Sequence, residues 1–234
     1  FKITREEADQ FALESHQKAI KAQEAGLFDE EIVPIKVEEK YVDASGKMAE
    51  KSYTVDKDEG PRADTSLDVL AGLRPVFAQG GQVTAGNSSP VSDGASFVMV
   101  MSEKMVKELN LEPIARMVSY TAMGVHPRIM GIGPVEAVPK ALKQAGLKQS
   151  DIDLIELNEA FAAQSLAVIK ELDFDRSKLN VNGGAIALGH PLGATGCMLT
   201  GTLMDELERR DLNTGLITLC IGGGMGIATI IERV

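Results

Sequence analysis

From about residue 112 onward the chain alternates apolar runs of strand length with amphipathic runs of helix length, which points to a layered α/β architecture. ARMVSYTAMG reads as a strand, VEAVPKALKQAG as a helix stopped at Gly146, and DIDLIEL as a second strand running into Asn158-Glu159-Ala160-Phe161. A helix follows with Ala162, Leu166 and Ile169 on one face. LNVNG supplies a third strand, and Leu199, Leu203 and Leu207 then recur at every fourth position of another helix. GLITLC ends on Cys220, GGGMG turns the chain, and IATIIERV returns as the last strand. On this reading Asn158, Cys220 and His190 all sit at the carboxyl ends of apolar strands, the rim where such folds bind ligands.

The first 111 residues are less regular. Thr4 and Glu7 have capping-box spacing and Gly26 closes the pattern, so residues between them form a helix. Its apolar stripe is Ala8, Phe11, Ala12, Ala19 and Ala22; His16 lies off that stripe and reads as solvated. Residues 31–58 read as two strands around an Asp43–Gly46 turn, dense in charge and therefore a peripheral excursion. A short helix begins at Thr65 and stops before Pro75. QVTAGNSSPVSDGASFVMVMS then joins a polar loop to the apolar run Phe97–Met101, expected to enter a core as a buried strand or helix segment. Ser88 and Ser89 in that loop can bond a ligand or their own backbone, and spacing does not choose between the two.

Charge and cysteine content exclude several classes. A net charge of −10 argues against nucleic acid or an anionic membrane as the main partner. No stretch approaches the roughly 20 apolar residues of a membrane helix, and no signal-peptide pattern is visible. Cys197 and Cys220 are the only cysteines, which fits a reducing, cytoplasmic setting. The three histidines and two cysteines are isolated, so no metal is expected. GHPLGATG lacks the Lys-Ser/Thr of a phosphate loop. Gly131-Ile132-Gly133 carries Glu136 where a dinucleotide fingerprint needs glycine, and no GxSxG elbow occurs.

What remains is the stretch Asn180–Gly196, NVNGGAIALGHPLGATG, in which His190 is the one ionisable side chain among five glycines. Glycine so concentrated suggests backbone that takes up positive φ or closely approaches a ligand. With Asn158 and Cys220, His190 makes a coherent set. A cysteine with its pKa pulled toward neutrality can serve as acid or base, a histidine can donate to an oxyanion, and an asparagine can position a water. Taken singly, Cys220 reads as a small buried hydrophobe and Asn158 as a helix N-cap.

NEAFAAQ at 158–164, the stretch at 180–196 and CIGGGMG at 220–226 resemble the carboxyl-terminal half of the thiolase family. GNSSPVSDGA at 86–95, GIGPVEA at 131–137 and the opening helix extend the resemblance over nearly the whole chain. GNSS followed by VSDGA is closer to the degradative 3-ketoacyl-CoA thiolases than to the acetoacetyl-CoA type. The resemblance implies a layered α-β-α-β-α thiolase fold. Residues 1–91 would be the remainder of a loop domain, 92–112 a return segment of the N-terminal core domain, and 113–234 the C-terminal core domain. It also implies acyl-CoA C-acyltransfer: thiolytic cleavage of a 3-ketoacyl-CoA or the reverse Claisen condensation, with coenzyme A as substrate and no resident cofactor.

Roles follow from the same resemblance. Cys220 would exchange a proton with the acetyl α-carbon and the CoA thiol. His190 would activate a nucleophilic cysteine and help hold the thioester oxygen. Asn158 would complete that oxyanion hole through a water, and the Gly222 N–H would serve a second one. Ala85, Ser89, Met130, Ala160 and Phe161 would line the CoA and acyl path. The family assembles as dimers or tetramers, largely through the first core domain.

Departures from the pattern are visible. Pro90 stands where glycine or glutamine is expected, and His126 has no catalytic counterpart. The nucleophilic cysteine of thiolases lies in a cysteine-x-serine-glycine loop that is absent from these 234 residues; Cys197 is followed by Met198 and Leu199 within a helix. The chain by itself is therefore expected to form no acyl-enzyme. The alternatives are a naturally truncated, non-catalytic CoA-binding or assembly subunit and a β-ketoacyl-carrier-protein synthase. Intact His190 and Cys220 disfavour the first, and the thiolase form of GHPLGATG and CIGGGMG disfavours the second.

Overall fold

The computed structural model describes residues 1–234. Helix α1 spans Arg5–Glu24, and its capping box forms as its sequence requires: Thr4 Oγ1 accepts the Glu7 N–H at 3.2 Å while Glu7 Oε2 accepts the Thr4 N–H at 2.7 Å. The alanine-rich stripe is buried, and so is His16, contrary to its reading as solvated. Its Nδ1 accepts the Arg62 N–H at 3.2 Å, and burial lowers its pKa. His16 is buried because α1 is covered on more than one side, by the helices at Ala162–Leu172 and Ala185–Leu188, by the 3-10 turn at Ala85–Asn87, and at His16 itself by the segment carrying Arg62.

Strands β1 (Ile35–Val42) and β2 (Met48–Val55) pair antiparallel in full register from Ile35–Val55 to Val42–Met48, closing at a turn where Asp43 Oδ1 accepts the N–H groups of Ser45 and Lys47. The hairpin is largely exposed, as its charge density predicted. Helix α2 (Leu67–Ala71) is capped by Ser66, one residue later than the sequence suggested: Ser66 Oγ, not that of Thr65, accepts the Val69 N–H. A 3-10 turn at Ala85–Asn87 and helix α3 (Glu103–Glu108) follow.

The remaining elements build the layered half: β3 (Ala115–Gly124), α4 (Gly133–Ala145), β4 (Leu154–Leu157), α5 (Ala162–Leu172), α6 (Ala185–Leu188), α7 (Thr195–Arg209), β5 (Thr214–Ile221) and β6 (Met225–Arg233). Four of them form one sheet in the order β3-β6-β5-β4, with β4 parallel to β5 and the other pairs antiparallel. Period-2 alternation sorts the side chains. Ile155, Leu157, Leu216, Ala228 and Ile230 face a core that includes Val138 and Ala141 of α4 and Phe11 of α1. Leu154, Ile217 and Ile231 face Leu199, Leu203 and Leu207 of α7. Each fully buried leucine contributes about 1.5–3 kcal/mol, so the two helical layers clamp the sheet from both sides. No helix is long and apolar enough to cross a membrane.

One expected strand and one expected buried segment do not form. LNVNG makes only an isolated bridge between Leu179 and Ile155. Asn180 takes φ 42°, and its carboxamide completes the ladder in place of backbone, Oδ1 accepting the Leu157 N–H and Nδ2 donating to the Leu157 carbonyl, each at 2.8 Å. The run Phe97–Met101 is neither a strand nor buried: Phe97 is 94% and Met99 81% exposed. The chain offers it no strand to pair with and no apolar face to cover it.

Candidate active site

Asn158 and Cys220 reach the same rim because their strands are neighbours and parallel. Leu157 of β4 is in register with Thr218 of β5, and the Asn158 N–H donates to the Thr218 carbonyl at 3.0 Å. Cys220 lies two residues beyond Thr218, roughly 7 Å further along the strand. Asn158 is not a helix cap, since α5 begins at Ala162 and has no side-chain cap at its start. His190 reaches the rim by another route than a strand end. It follows α6 and Gly189, whose φ of 100° turns the backbone back toward Asn158.

The imidazole is held at both nitrogens. Nδ1 lies 2.6 Å from Thr195 Oγ1, and Thr195 Oγ1 donates its proton to the Pro191 carbonyl at 3.0 Å. A hydroxyl has one proton, so Nδ1 is the donor of that pair and Nε2 is left bare. Asn158 Nδ2 lies 3.3 Å from Nε2 and donates to it. Burial lowers the His190 pKa, which favours this neutral form. Asn158 is fully buried, and its Oδ1 accepts from no group of the chain.

Cys220 is half-buried, and burial raises its thiol pKa. This is the opposite of a thiol pulled toward neutrality: no cation is among the groups that shift it, and desolvation prevails. Beyond it, Gly222 is exposed, its N–H donates to no group of the chain, and the space where a Cβ would lie is open. The turn is held from below by a backbone-to-backbone contact. A Cβ on Gly226 would lie 2.0 Å from the Gly133 carbonyl carbon at the start of α4.

The proposed CoA-path residues are partly brought together. Ser89 N–H and Oγ both donate to the Ala160 carbonyl at 3.1 Å, and Ser88 bridges to Phe161. Ala85 opens the 3-10 turn just before them and is exposed. Met130 lies in a second 3-10 segment, Pro127–Ile132, which packs on α5 through Gly131, where a Cβ would meet Gln164 Cγ at 2.7 Å. His126 is exposed and caps that segment by accepting the Arg128 N–H. Cys197 lies in the first turn of α7, half-buried, away from a strand end. No group of three or more histidine, cysteine or carboxylate side chains is placed to hold a metal.

Sequence reasoning missed three participants. Thr195 fixes the His190 tautomer, and its place within GHPLGATG was its one signal. Phe77 stacks edge-on against Phe161 with centroids 6.2 Å apart, and an aromatic in a polar loop was its only signal. Glu159 is buried beside Asn158, and burial raises its pKa while Ser15, Asn180, Ile186 and Lys18 pull against that rise.

Residues 111–233 match the thiolase C-terminal domain and residues 1–104 the thiolase N-terminal domain. The chain belongs to the thiolase family. It is 52% identical over 230 residues to the 3-ketoacyl-CoA thiolase of Bacillus subtilis, covering 98% of this chain and 59% of that protein. Among solved structures, the acetyl-CoA acetyltransferase of Bacillus anthracis superimposes with a TM-score of 0.90 at 49% identity, covering 99% of this chain and 57% of that one. A human mitochondrial 3-ketoacyl-CoA thiolase in complex with CoA superimposes at 0.88 and 48% identity, covering 100% and 56%. The layered α/β architecture is thus the thiolase fold, and the chain spans a little under three-fifths of the length of these relatives.

Proposed function

We propose that the chain provides the acid/base half of a thiolase site, acting on acyl-CoA thioesters in thiolytic cleavage of a 3-ketoacyl-CoA or its reverse. The observation that carries this reading is the neutral His190 imidazole, its bare Nε2 aimed at Asn158 on the rim shared with Cys220. Nε2 accepts the proton of a nucleophilic thiol. The imidazolium so formed then donates to the thioester oxygen, beside the water that Asn158 holds. Cys220, as thiolate, takes the α-proton of the acetyl group in condensation; in cleavage its thiol gives a proton to that carbon, and the thiolate left behind is reprotonated by the incoming CoA thiol, which is thereby activated. The Gly222 N–H contributes to a second oxyanion hole; one such donor is worth about 3–4 kcal/mol in the transition state. Ala85, Ser89, Met130, Ala160 and Phe161 line the path of the pantetheine and acyl chain, with CoA as substrate and no resident cofactor.

The domain division is part of the same proposal: loop domain over 1–91, return segment over 92–112, C-terminal core over 113–234. So are assembly as a homodimer or homotetramer and a cytoplasmic, reducing setting that keeps Cys197 and Cys220 free. The 234 residues supply no cysteine-x-serine-glycine loop, so this polypeptide alone forms no acyl-enzyme. Incubation with radiolabelled acetyl-CoA followed by denaturation tests that statement. We expect no covalent label, and stoichiometric label on Cys197 or Cys220 would overturn it.

A further inference from the structure

A single buried carboxylate ties the two halves of the site wall together. Glu159 follows Asn158 and is 2% exposed. Its Oε2 accepts the Ser15 hydroxyl of α1 at 2.6 Å and the Ile186 N–H of α6 at 3.3 Å, and its Oε1 accepts Asn180 Nδ2 at 2.9 Å. Ser15 Oγ in turn accepts the Gly184 N–H at 3.1 Å. Gly184 has no room for a side chain, because a Cβ there would lie 2.3 Å from the Glu159 carboxyl carbon. Lys18, one turn along α1 from Ser15, reaches the Leu179 and Asn180 carbonyls at 3.0 and 3.2 Å. The carboxylate therefore joins α1, the turn at Asn180 and the start of α6 to the strand end that carries Asn158. His190 stands four residues after Ile186.

We propose that Glu159 is a positioning residue of the thiolase site: its carboxylate sets the separation between the Asn158 carboxamide and the His190 imidazole by clamping both of their carriers. The proposal rests on the functional reading above. A carboxylate is an acceptor at both oxygens and meets three donors here. A carboxamide of the same shape must turn its NH2 toward either Asn180 Nδ2 or the Ile186 N–H, donor against donor, whichever way it is flipped.

Glu159→Gln in the 234-residue chain supplies the test, read by hydrogen exchange and by 15N spectra of the His190 ring. In the folded variant the Gly184 and Ile186 amides are expected to exchange about tenfold faster or more, the equivalent of losing one buried hydrogen bond. Thr195 still holds the proton on His190 Nδ1, so the expected change is at Nε2, whose 15N resonance should shift as its hydrogen bond from Asn158 lengthens. A residue that merely adds stability would lower the melting temperature and leave the Nε2 resonance of the folded fraction unchanged; that result overturns the proposal. Should Glu159→Gln not fold, Ser15→Ala keeps the charge and removes one donor. It is expected to speed Gly184 exchange and broaden the His190 signal, and wild-type behaviour at both overturns the proposal. In acyl-transfer kinetics of a protein that carries this chain with a nucleophilic cysteine, Glu159→Gln is expected to lower kcat on the order of 10²-fold, as an ångström-scale misplacement does. KM should move less than about threefold. Because the ring spectra need no turnover, they report on the clamp even if the functional reading fails.

Discussion

The Thr195 hydroxyl accepts from His190 Nδ1 while donating to the Pro191 carbonyl, so one threonine decides which nitrogen of the imidazole faces the rim. Thr195→Val keeps the shape and removes the acceptor. The His190 ring should then populate both neutral tautomers in 15N spectra. In a catalytically complete protein kcat should fall by about 10–100-fold, as expected when the base is misplaced or in the wrong tautomer. A single retained Nδ1–H tautomer would refute the assignment.

Cys220 should be a slow thiol. Burial raises its pKa, so the reactive thiolate is scarce at pH 7. Peptide-resolved iodoacetamide labelling should modify Cys220 at least about tenfold more slowly than a free cysteine, with the rate still climbing above pH 9. Equal reactivity at pH 7 would mean that the thiol is activated within this chain.

Glu31 gives the fold a pH dependence of its own. Burial pushes its pKa from 4.5 to about 7, although Thr202 Oγ1 donates to Oε2 at 2.7 Å; Asp205 and Asp58 add to the rise and Arg209 opposes it. Between pH 4.5 and 7 the folded chain holds a proton that the unfolded chain has released. Stability from this group is therefore full below pH 4.5 and declines as pH rises to about 7. Glu31→Gln should flatten that decline and stabilise the chain at pH 8 by about 1–3 kcal/mol in urea denaturation. An unchanged slope would place the titration elsewhere.

Gly226→Ala should move the Gly222 turn. The added carbon would lie 2.0 Å from the backbone of Gly133, and neither backbone has a flexible end that can give way. A loss of at least about 2 kcal/mol is expected, with weakened CoA binding by calorimetry. Wild-type stability would show that the contact relaxes freely.

The layered half was legible because its signals are local: period-2 strands, a 3.6-period helix, and glycine at the left-handed position Gly146, φ 68°. The capping box of Thr4 and Glu7 was legible for the same reason. Positions decided across the fold were not. LNVNG looked like a strand because sequence cannot show a side-chain amide taking over backbone pairing, as Asn180 does. Phe97–Met101 looked buried because apolar content reveals appetite for a partner and not its presence. Asn158, His190 and Cys220 were picked out as chemistry-bearing residues, but their mutual placement came from strand register and from the turn at Gly189. Ser15 and Glu159 are 144 residues apart, and no local pattern pairs them.

The wall that carries His190 is pressed from segments far away in the chain. Gly183 abuts Ser15 and Ala19, Gly60 abuts Ala187, and Gly189 abuts Ser92, each within a distance that a single methyl would close. Long loops must therefore close before that wall acquires its shape, whereas β5 and β6 meet through one tight turn. Loop closure therefore places the β5–β6 hairpin before the histidine wall in folding. In hydrogen exchange the same order runs backwards: amides of residues 183–190 should open at lower free energy than those of β5, so heating silences the site before it melts the scaffold.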